Sequence, residues 1–184
     1  MSLMTIFLVI IAVLALWFIV GYNSFIRLIN RAKEAWADID VQLKRRYDLI
    51  PNLVQTVKGY ASHESTAFEN VTRARAAAMG ATSLSQKSQT ENELVGALKS
   101  LFAVSEAYPE LKANQNFLKL QEELADTENK IQAARRFYNT NVRDLNTKIE
   151  SFPSNFIANI FNFSKMEFFQ LEQSAAREPV QVKF

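Results

Sequence analysis

The chain has 184 residues, a formal net charge of +2 and 22% charged side chains. This nearly balanced charge gives no sign of a nucleic-acid surface, and the absence of cysteine excludes disulfides, thiol catalysis and cysteine-ligated metals. Only four glycines and four prolines occur, and no sustained alternation of Val, Ile and Thr is present, so the composition predicts an all-α protein.

The N-terminal segment is apolar, with no charged side chain in residues 1–26. As a helix, residues 3–22 would be about 30 Å long, which matches the hydrocarbon thickness of a bilayer. A cleaved signal peptide fits less well, because no Lys or Arg precedes the run and Trp17–Tyr22 is a poor cleavage site. A buried core helix is rarely apolar on all sides. We therefore expect residues 1–26 to form a transmembrane anchor that contacts lipid through residues 3–22.

The residues that flank the anchor predict its orientation. The cations that follow the span are Arg27, Arg31, Lys33, Lys44, Arg45 and Arg46. The positive-inside rule places such a flank in the cytoplasm, which leaves a short N-terminal tail outside. Trp17 and Tyr22, near the end of the span, suit the aromatic belt of a membrane interface.

The apolar residues after the span recur with 3–4 spacing. They are Ile29, Ala32, Trp36, Ile39, Leu43, Ile50 and Val57. Nothing before Ile50 breaks a helix, so we expect the anchor to continue directly into the first cytoplasmic helix. Pro51 removes a backbone donor and disfavours the helical conformation at Ile50. It marks either a kink or the first turn of a second helix, and this second helical stretch is expected to run to about Met79, where Gly80 can end it.

The middle of the chain predicts a loop followed by a third helix. Residues 80–89 are polar and rich in Ser, Thr and Gln, which is typical of a loop. Thr90 and Glu93 have the spacing of a capping box and predict the start of the third helix. This helix is expected to end near Pro109.

The longest helix is expected to begin after Asn114 or Asn116, either of which can cap it, and to end before Pro153. Long helices joined by short connections return antiparallel to one another. We therefore expect an all-α fold in which a single N-terminal transmembrane helix continues into an elongated antiparallel helical bundle with coiled-coil-like packing. The bundle would cover residues 27–152, and a Phe-rich C-terminal segment would follow over residues 153–184.

Two segments, residues 44–54 and 128–139, place paired arginines beside aromatic residues. The candidate polar cluster that they supply is Arg45, Arg46, Glu128, Arg135, Arg136 and Asn139. Paired arginines suit planar anions such as phosphate, but polar residues inside a bundle usually fix helix register and partner choice. We favour the structural interpretation, with the cluster either inside one bundle or at an interface between subunits.

The sequence contains no pattern for catalysis or cofactor binding. His63 is the only histidine, whereas a zincin helix or a di-iron bundle needs two. No Gly-x-Ser-x-Gly elbow, P-loop or dinucleotide-binding fingerprint occurs. We expect a protein that is not an enzyme and that needs no metal and no cofactor.

Phenylalanine is concentrated at the C-terminus. The residues are Phe152, Phe156, Phe161, Phe163, Phe168, Phe169 and Phe184. A short helix over residues 155–161 could fold back and staple the bundle. Alternatively, Phe156, Phe161, Phe163, Phe168 and Phe169 could form an apolar interface with another subunit, a partner or the membrane surface. Residues 161–169 are not obviously amphipathic, which favours docking on protein over lying in lipid, and the staple and the oligomer contact remain equally open.

Several runs of residues resemble the bacterial LemA family. They are Tyr22-Asn23, RRYDLIPNLV at 45–54, VKGY at 57–60, EAYPELKAN at 106–114, ENKI at 128–131, ARRFYN at 134–139 and FPSN at 152–155. The similarity covers nearly the whole chain past the anchor, and the order of the runs makes it specific. The resemblance implies an N-terminally anchored helical bundle of the bacterial inner membrane, with a short outer tail and a cytoplasmic body. It implies no established catalytic activity and no catalytic residues.

The leading hypothesis is a non-enzymatic, membrane-anchored scaffold or adaptor that self-associates through its helices. It rests on the heptads that continue from the span, the aromatic tail and the missing catalytic pattern. A first alternative is an accessory subunit of another membrane protein, such as a membrane protease. A second alternative is a ligand sensor that binds through Arg45 or Arg135. The expected partners are lipids, further copies of the chain and a membrane protein, without nucleic acid.

Overall fold

The computed structural model describes residues 2–170, and this part of the chain folds into α-helices without a β-strand. The helices are α1 (Leu3–Lys58), α2 (Ser65–Gly80), α3 (Leu84–Ser105), α4 (Pro109–Lys112), α5 (Gln115–Glu150) and α6 (Ser154–Ile160). The described residues form two compact units. Unit 1 consists of residues 2–40 and 132–168, and unit 2 consists of residues 41–131, 169 and 170. The predicted all-α class is confirmed.

Helix α1 is continuous from Leu3 to Lys58, so the apolar segment enters the first helix of the bundle without a linker, as predicted. It is the one helix among residues 2–170 that is long and apolar enough to cross a membrane. Nearly all side chains of its first twenty residues are exposed, which suits contact with lipid. The helical stretch predicted to run to about Met79 is interrupted between Lys58 and Ser65. The chain turns at Gly59, where both Tyr60 and Ala61 donate backbone hydrogen bonds to the Val57 carbonyl.

Pro51 lies inside α1 and starts no new helix. In an α-helix the residue at this position would donate its N–H to the carbonyl of Tyr47, and proline has no N–H to give. Arg75 of α2 supplies a donor instead: its Nε lies 2.7 Å from the Tyr47 carbonyl oxygen. Helix α1 therefore tolerates Pro51 with a side chain of a neighbouring helix bonded to the carbonyl that proline leaves.

This arrangement predicts that Arg75→Met lowers the free energy of unfolding by about 1–3 kcal/mol, because the buried Tyr47 carbonyl loses the Arg75 donor. In a Pro51→Ala background the same change should cost clearly less, since the backbone N–H of the introduced alanine can take the place of that donor. Urea unfolding of the full chain in detergent, followed by circular dichroism, measures both costs. Arg73→Met is the matched control, because Arg73 is an exposed arginine of the same helix. If Arg75→Met lowered the free energy of unfolding equally with and without Pro51, Arg75 would not be replacing the donor that proline lacks.

The connection between α2 and α3 is shorter than the predicted loop over residues 80–89. Helix α3 begins at Leu84, where the Ser83 hydroxyl accepts from the Gln86 N–H at 3.2 Å and the Gln86 side chain accepts from the Ser83 N–H. The predicted capping box at Thr90 was wrong, because Ser83 and Gln86 have the same spacing and start the helix seven residues earlier. Thr90 lies within α3 and donates its hydroxyl to the Gln86 carbonyl.

The start of α5 agrees with the sequence prediction. The Asn114 side-chain oxygen accepts a hydrogen bond from the Phe117 N–H at 3.0 Å, which makes Asn114 the cap of a helix that begins at Gln115. The helix ends at Glu150, before Pro153, as expected.

Unit 1 is a pair of antiparallel helical segments closed by the C-terminal part of the chain. Lys148 bonds to Ser24, and the Trp36 ring lies 5.4 Å from the Tyr138 ring, so late residues of α5 meet early residues of α1. Helix α6 adds Ile157 to a core formed with Phe25.

The second residue after α6, Asn162, reverses the chain so that residues 163–168 return along the helices. The chain leaves α6 through Asn162, whose φ of 55° is left-handed, and the Phe163 N–H bonds to the Ala158 carbonyl at 2.9 Å. Together with the bond from the Asn162 N–H to the Asn159 carbonyl, this is the hydrogen-bond pattern of a Schellman motif.

Candidate functional site: a buried charge cluster

In unit 2, two charged residues occupy helix positions that are otherwise filled by buried apolar side chains. The buried residues of α1 in this unit include Leu43, Ile50 and Leu53, and Arg46 fills the position between Leu43 and Ile50 with 1% of its surface exposed. On α3 the buried series begins at Glu91, which is fully buried. An unpaired charge at such a position costs several kcal/mol, so each of these groups requires a partner.

The two seam charges meet each other and a third residue from α5. Arg46 Nη2 contacts Glu91 Oε2, and Arg46 Nη1 lies 2.6 Å from Glu128 Oε2. The second carboxylate oxygen of Glu91 accepts from the Tyr47 hydroxyl. We call Arg46, Tyr47, Glu91 and Glu128 the charge cluster.

The centre of the charge cluster is buried, and Glu91 is the residue whose polar atoms are fully hydrogen-bonded there. Both carboxylate oxygens of Glu91 accept hydrogen bonds, and its side chain has no exposed surface. Glu128 is the most accessible carboxylate of the charge cluster, with 33% of its side chain exposed. Arg46 Nε is buried and finds no acceptor within residues 2–170. This geometry joins α1, α3 and α5 at one level, which is what a register-fixing polar contact does.

Arg45, a predicted member of the polar cluster, lies outside the charge cluster. Its side chain is 44% exposed, and its Nη1 is 3.8 Å from Asp126. The pKa of Asp126 is lowered, chiefly by a hydrogen bond from Lys130 and then by the charges of Lys130 and Arg45. Exposed pairs of this kind contribute little to stability.

The other predicted polar residues of α5 belong to unit 1. Arg136 is exposed, whereas Arg135 and Asn139 are half-buried and take part in further interactions. Of the six predicted residues, the structure brings Arg46 and Glu128 into direct contact. Glu91 and Tyr47 were not predicted to belong to the cluster. The 3–4 spacing of Glu91 with the buried leucines of α3 was the sequence signal for Glu91; these are Leu94, Leu98 and Leu101.

The phenylalanines of the predicted interface have different environments. Phe161 and Phe163 lie against Tyr22, with ring centroids 4.7 and 5.7 Å away, and Phe163 also stacks on Phe25 at 4.8 Å. Phe156 and Phe168 are exposed. Phe169 is fully buried and belongs to unit 2. Phe184 lies outside the described residues.

Polar side chains of α5 hold the returning chain in unit 1. The Asn146 amide bonds to both backbone groups of Met166, at 2.9 Å to the carbonyl and 3.0 Å from the N–H. The Tyr138 hydroxyl donates to the Glu167 carbonyl at 3.0 Å. Burial, and then the Glu167 carboxylate, raise the pKa of Tyr138, so its hydroxyl keeps its proton and remains a donor.

We predict that Asn146→Leu speeds hydrogen exchange at the Met166 amide by about tenfold or more, because two hydrogen bonds are lost at once. Mass spectrometry of peptides covering residues 161–169 in the detergent-solubilised full chain measures this rate. Asn129→Leu, at an exposed position of the same helix, is the matched control and should leave the rate unchanged. An unaltered rate in Asn146→Leu would show that other contacts hold this segment.

Metal ligands are not gathered in the described part of the chain: residues 2–170 contain no group of three or more His, Asp or Glu side chains placed to hold an ion. His63 is exposed, in the turn between α1 and α2.

Comparison with known proteins identifies relatives over most of the chain. The LemA family profile matches residues 35–184. Magnetosome protein MamQ 2 of Paramagnetospirillum magneticum is 25% identical over 185 aligned residues, which cover 86% of this chain and 68% of that protein. Magnetosome protein MamQ of Magnetospirillum gryphiswaldense is 24% identical with the same coverage. Protein LemA of Metamycoplasma hominis is 27% identical over 156 residues, covering 82% of this chain and 69% of its own length.

Proposed function

The chain belongs to the LemA family, and we propose that it is a membrane-anchored helical scaffold that self-associates and catalyses no reaction. The observation that carries this proposal is the enclosure of Arg46 between Glu91 and Glu128. Arg46 and Glu91 are buried and paired with each other, so they are in place to join helices and out of reach of a substrate.

The anchor supports the membrane part of the proposal. Within unit 1 the apolar residues of α1 pass without a break into the segment that packs on α5. A span joined to a folded body in this way holds that body at the bilayer surface. Because the side chains of residues 3–17 are exposed, they are available to lipid and to the span of another copy.

Self-association is tested by native mass spectrometry of the full chain in lipid nanodiscs. We expect more than one copy per disc, and this number should persist after dilution with an excess of empty discs. Most of the heptad residues of α1 are buried inside their own chain, so the contact between copies is expected to use exposed surface such as the span. One copy per disc at every loading would contradict the scaffold proposal.

We also propose that the protein lies in the bacterial inner membrane with its N-terminus outside. The absence of cysteine makes this directly testable, because Ser2→Cys and His63→Cys each introduce a single thiol. A membrane-impermeant maleimide added to spheroplasts should label position 2 and leave position 63 unlabelled until the cells are broken. The reverse labelling would contradict the positive-inside assignment.

A further inference from the structure

Helix α6 has two opposite faces, and both are apolar. Ile157 and Ala158 are buried in the unit 1 core with Phe25. Phe156 and Ile160 lie four residues apart on the other side of α6 and are 56% and 59% exposed. Phe152 precedes the helix, lies beside Phe156 and is 78% exposed. We call these three residues the outer face of α6. Its rings are adjacent, since the Phe152 and Phe156 centroids are 5.8 Å apart.

Contacts with the end of the span fix the level of α6. Phe18 packs against the core cluster that contains Ile157. At Gly21 a β-carbon would overlap the Ile157 side chain, so glycine permits this close approach. One residue further on, the Tyr22 ring lies against Phe161. Helix α6 therefore lies beside residues 18–22.

These residues are the last turn of the apolar segment, where the hydrocarbon region would end. Five residues of helix cover about 6 Å, which is close to the thickness of one headgroup layer. Trp17 and Tyr22 are partly exposed at the same level, as expected of an aromatic belt. A face of α6 that points away from the core at this depth meets the boundary between headgroups and acyl chains.

We propose that the outer face of α6 is a second membrane contact, inserted at the headgroup–acyl boundary of the leaflet in which the span ends. This inference rests on the proposed anchor, because the depth of α6 is set by α1. It also differs from the sequence-based preference for docking on protein. That preference rested on residues 161–169, whereas the exposed apolar face lies at 152–160. Residues 163–168 are held within unit 1 by Asn146 and Tyr138.

Charge near this level complements an anionic lipid surface. Arg27 is exposed on α1, little more than one turn past Tyr22. Lys148 is half-buried, with its Nζ 4.9 Å from the centroid of the Phe25 ring. Burial, and then the positive charge of Arg27, lower the pKa of Lys148. Cations at this level attract anionic lipid headgroups.

The test measures the depth of single labels in the full chain. Because the natural sequence has no cysteine, Phe156→Cys, Phe137→Cys and Ile10→Cys can each carry one environment-sensitive fluorophore. Phe137 is the matched control: it is 54% exposed, like Phe156, but lies on α5 about three turns before Lys148. Each variant is reconstituted in phosphatidylcholine–phosphatidylglycerol vesicles that contain nitroxide lipids with the spin label near the headgroup or near the bilayer centre.

We expect headgroup-level nitroxides to quench the label at 156 at least about twofold more than the label at 137, because an interfacial helix buries its apolar face at this depth. The label at 10 should be quenched most by nitroxides near the bilayer centre. Quenching at 156 no stronger than at 137, with normal quenching at 10, would overturn the proposal for α6 alone, whether water or a protein covers that face. Absence of quenching at 10 would overturn the anchor as well.

Discussion

Replacing Arg46 with methionine is expected to lower the free energy of unfolding by about 3–5 kcal/mol, the cost of leaving a buried carboxylate without its cation. Methionine fills much of the space of the arginine stem, so most of this loss reflects Glu91, which has no exposed surface through which water could reach it. Chemical unfolding of the full chain in detergent, followed by far-ultraviolet circular dichroism, measures the change.

A second substitution separates the loss of charge pairing from the loss of packing. In the Arg46→Met/Glu91→Leu double variant both buried charges are gone, and most of the stability should return, because apolar replacements of buried ion pairs are often neutral or stabilising. Glu128 can turn its partly exposed carboxylate to water, and the Tyr47 hydroxyl still has the Ala78 carbonyl at 3.4 Å. Lys44→Ala, which removes an exposed pair with Asp48, should change stability by less than about 1 kcal/mol. The single variant Glu91→Leu completes the comparison. If the double variant lost as much free energy of unfolding as Arg46→Met and Glu91→Leu together, the pairing of Arg46 with Glu91 would be contradicted.

Phe25→Ala is expected to cost about 3–5 kcal/mol, since truncating a buried phenylalanine removes apolar contacts and leaves a cavity. Phe25 has no exposed surface, stacks on Phe163 and carries Lys148 over its ring, so its loss also weakens the attachment of the chain after α6. The same unfolding experiment applies, together with limited proteolysis that reports on release of residues 161–169.

Phe137→Ala is the control for this prediction. It removes the same side chain from an exposed position of unit 1 and should change stability by less than about 1 kcal/mol. If Phe25→Ala and Phe137→Ala were equally mild, the core assigned to unit 1 would be wrong.

Features governed by local chemistry could be predicted from the sequence. The scarcity of glycine and proline indicated the helical class, and the absence of a helix breaker before Ile50 indicated that the anchor continues into the bundle. Asn114 caps α5 because a short polar side chain just before a helix can accept a free backbone N–H. In each case the residues that decide the outcome are neighbours in the chain.

Features that depend on distant residues were missed. The role of Pro51 was ambiguous because Arg75, which donates to the carbonyl that the proline leaves free, lies on another helix. Position 46 was not predicted to be buried, because an arginine does not belong to a pattern of apolar residues. Its buried partner, Glu91, is 45 residues away on α3. Ser83 and Thr90 both begin a sequence with capping-box spacing, and this spacing alone cannot decide which of them starts the helix.

We propose a membrane-anchored scaffold in which the charge cluster holds helices together inside each copy. Electron cryo-microscopy of the full-length protein in native nanodiscs is the decisive experiment. We expect several copies per particle, residues 3–22 within the lipid density, and Arg46 enclosed between Glu91 and Glu128 in every copy. A single copy per particle, or Arg46 open to solvent with a bound small molecule beside it, would contradict the proposed scaffold.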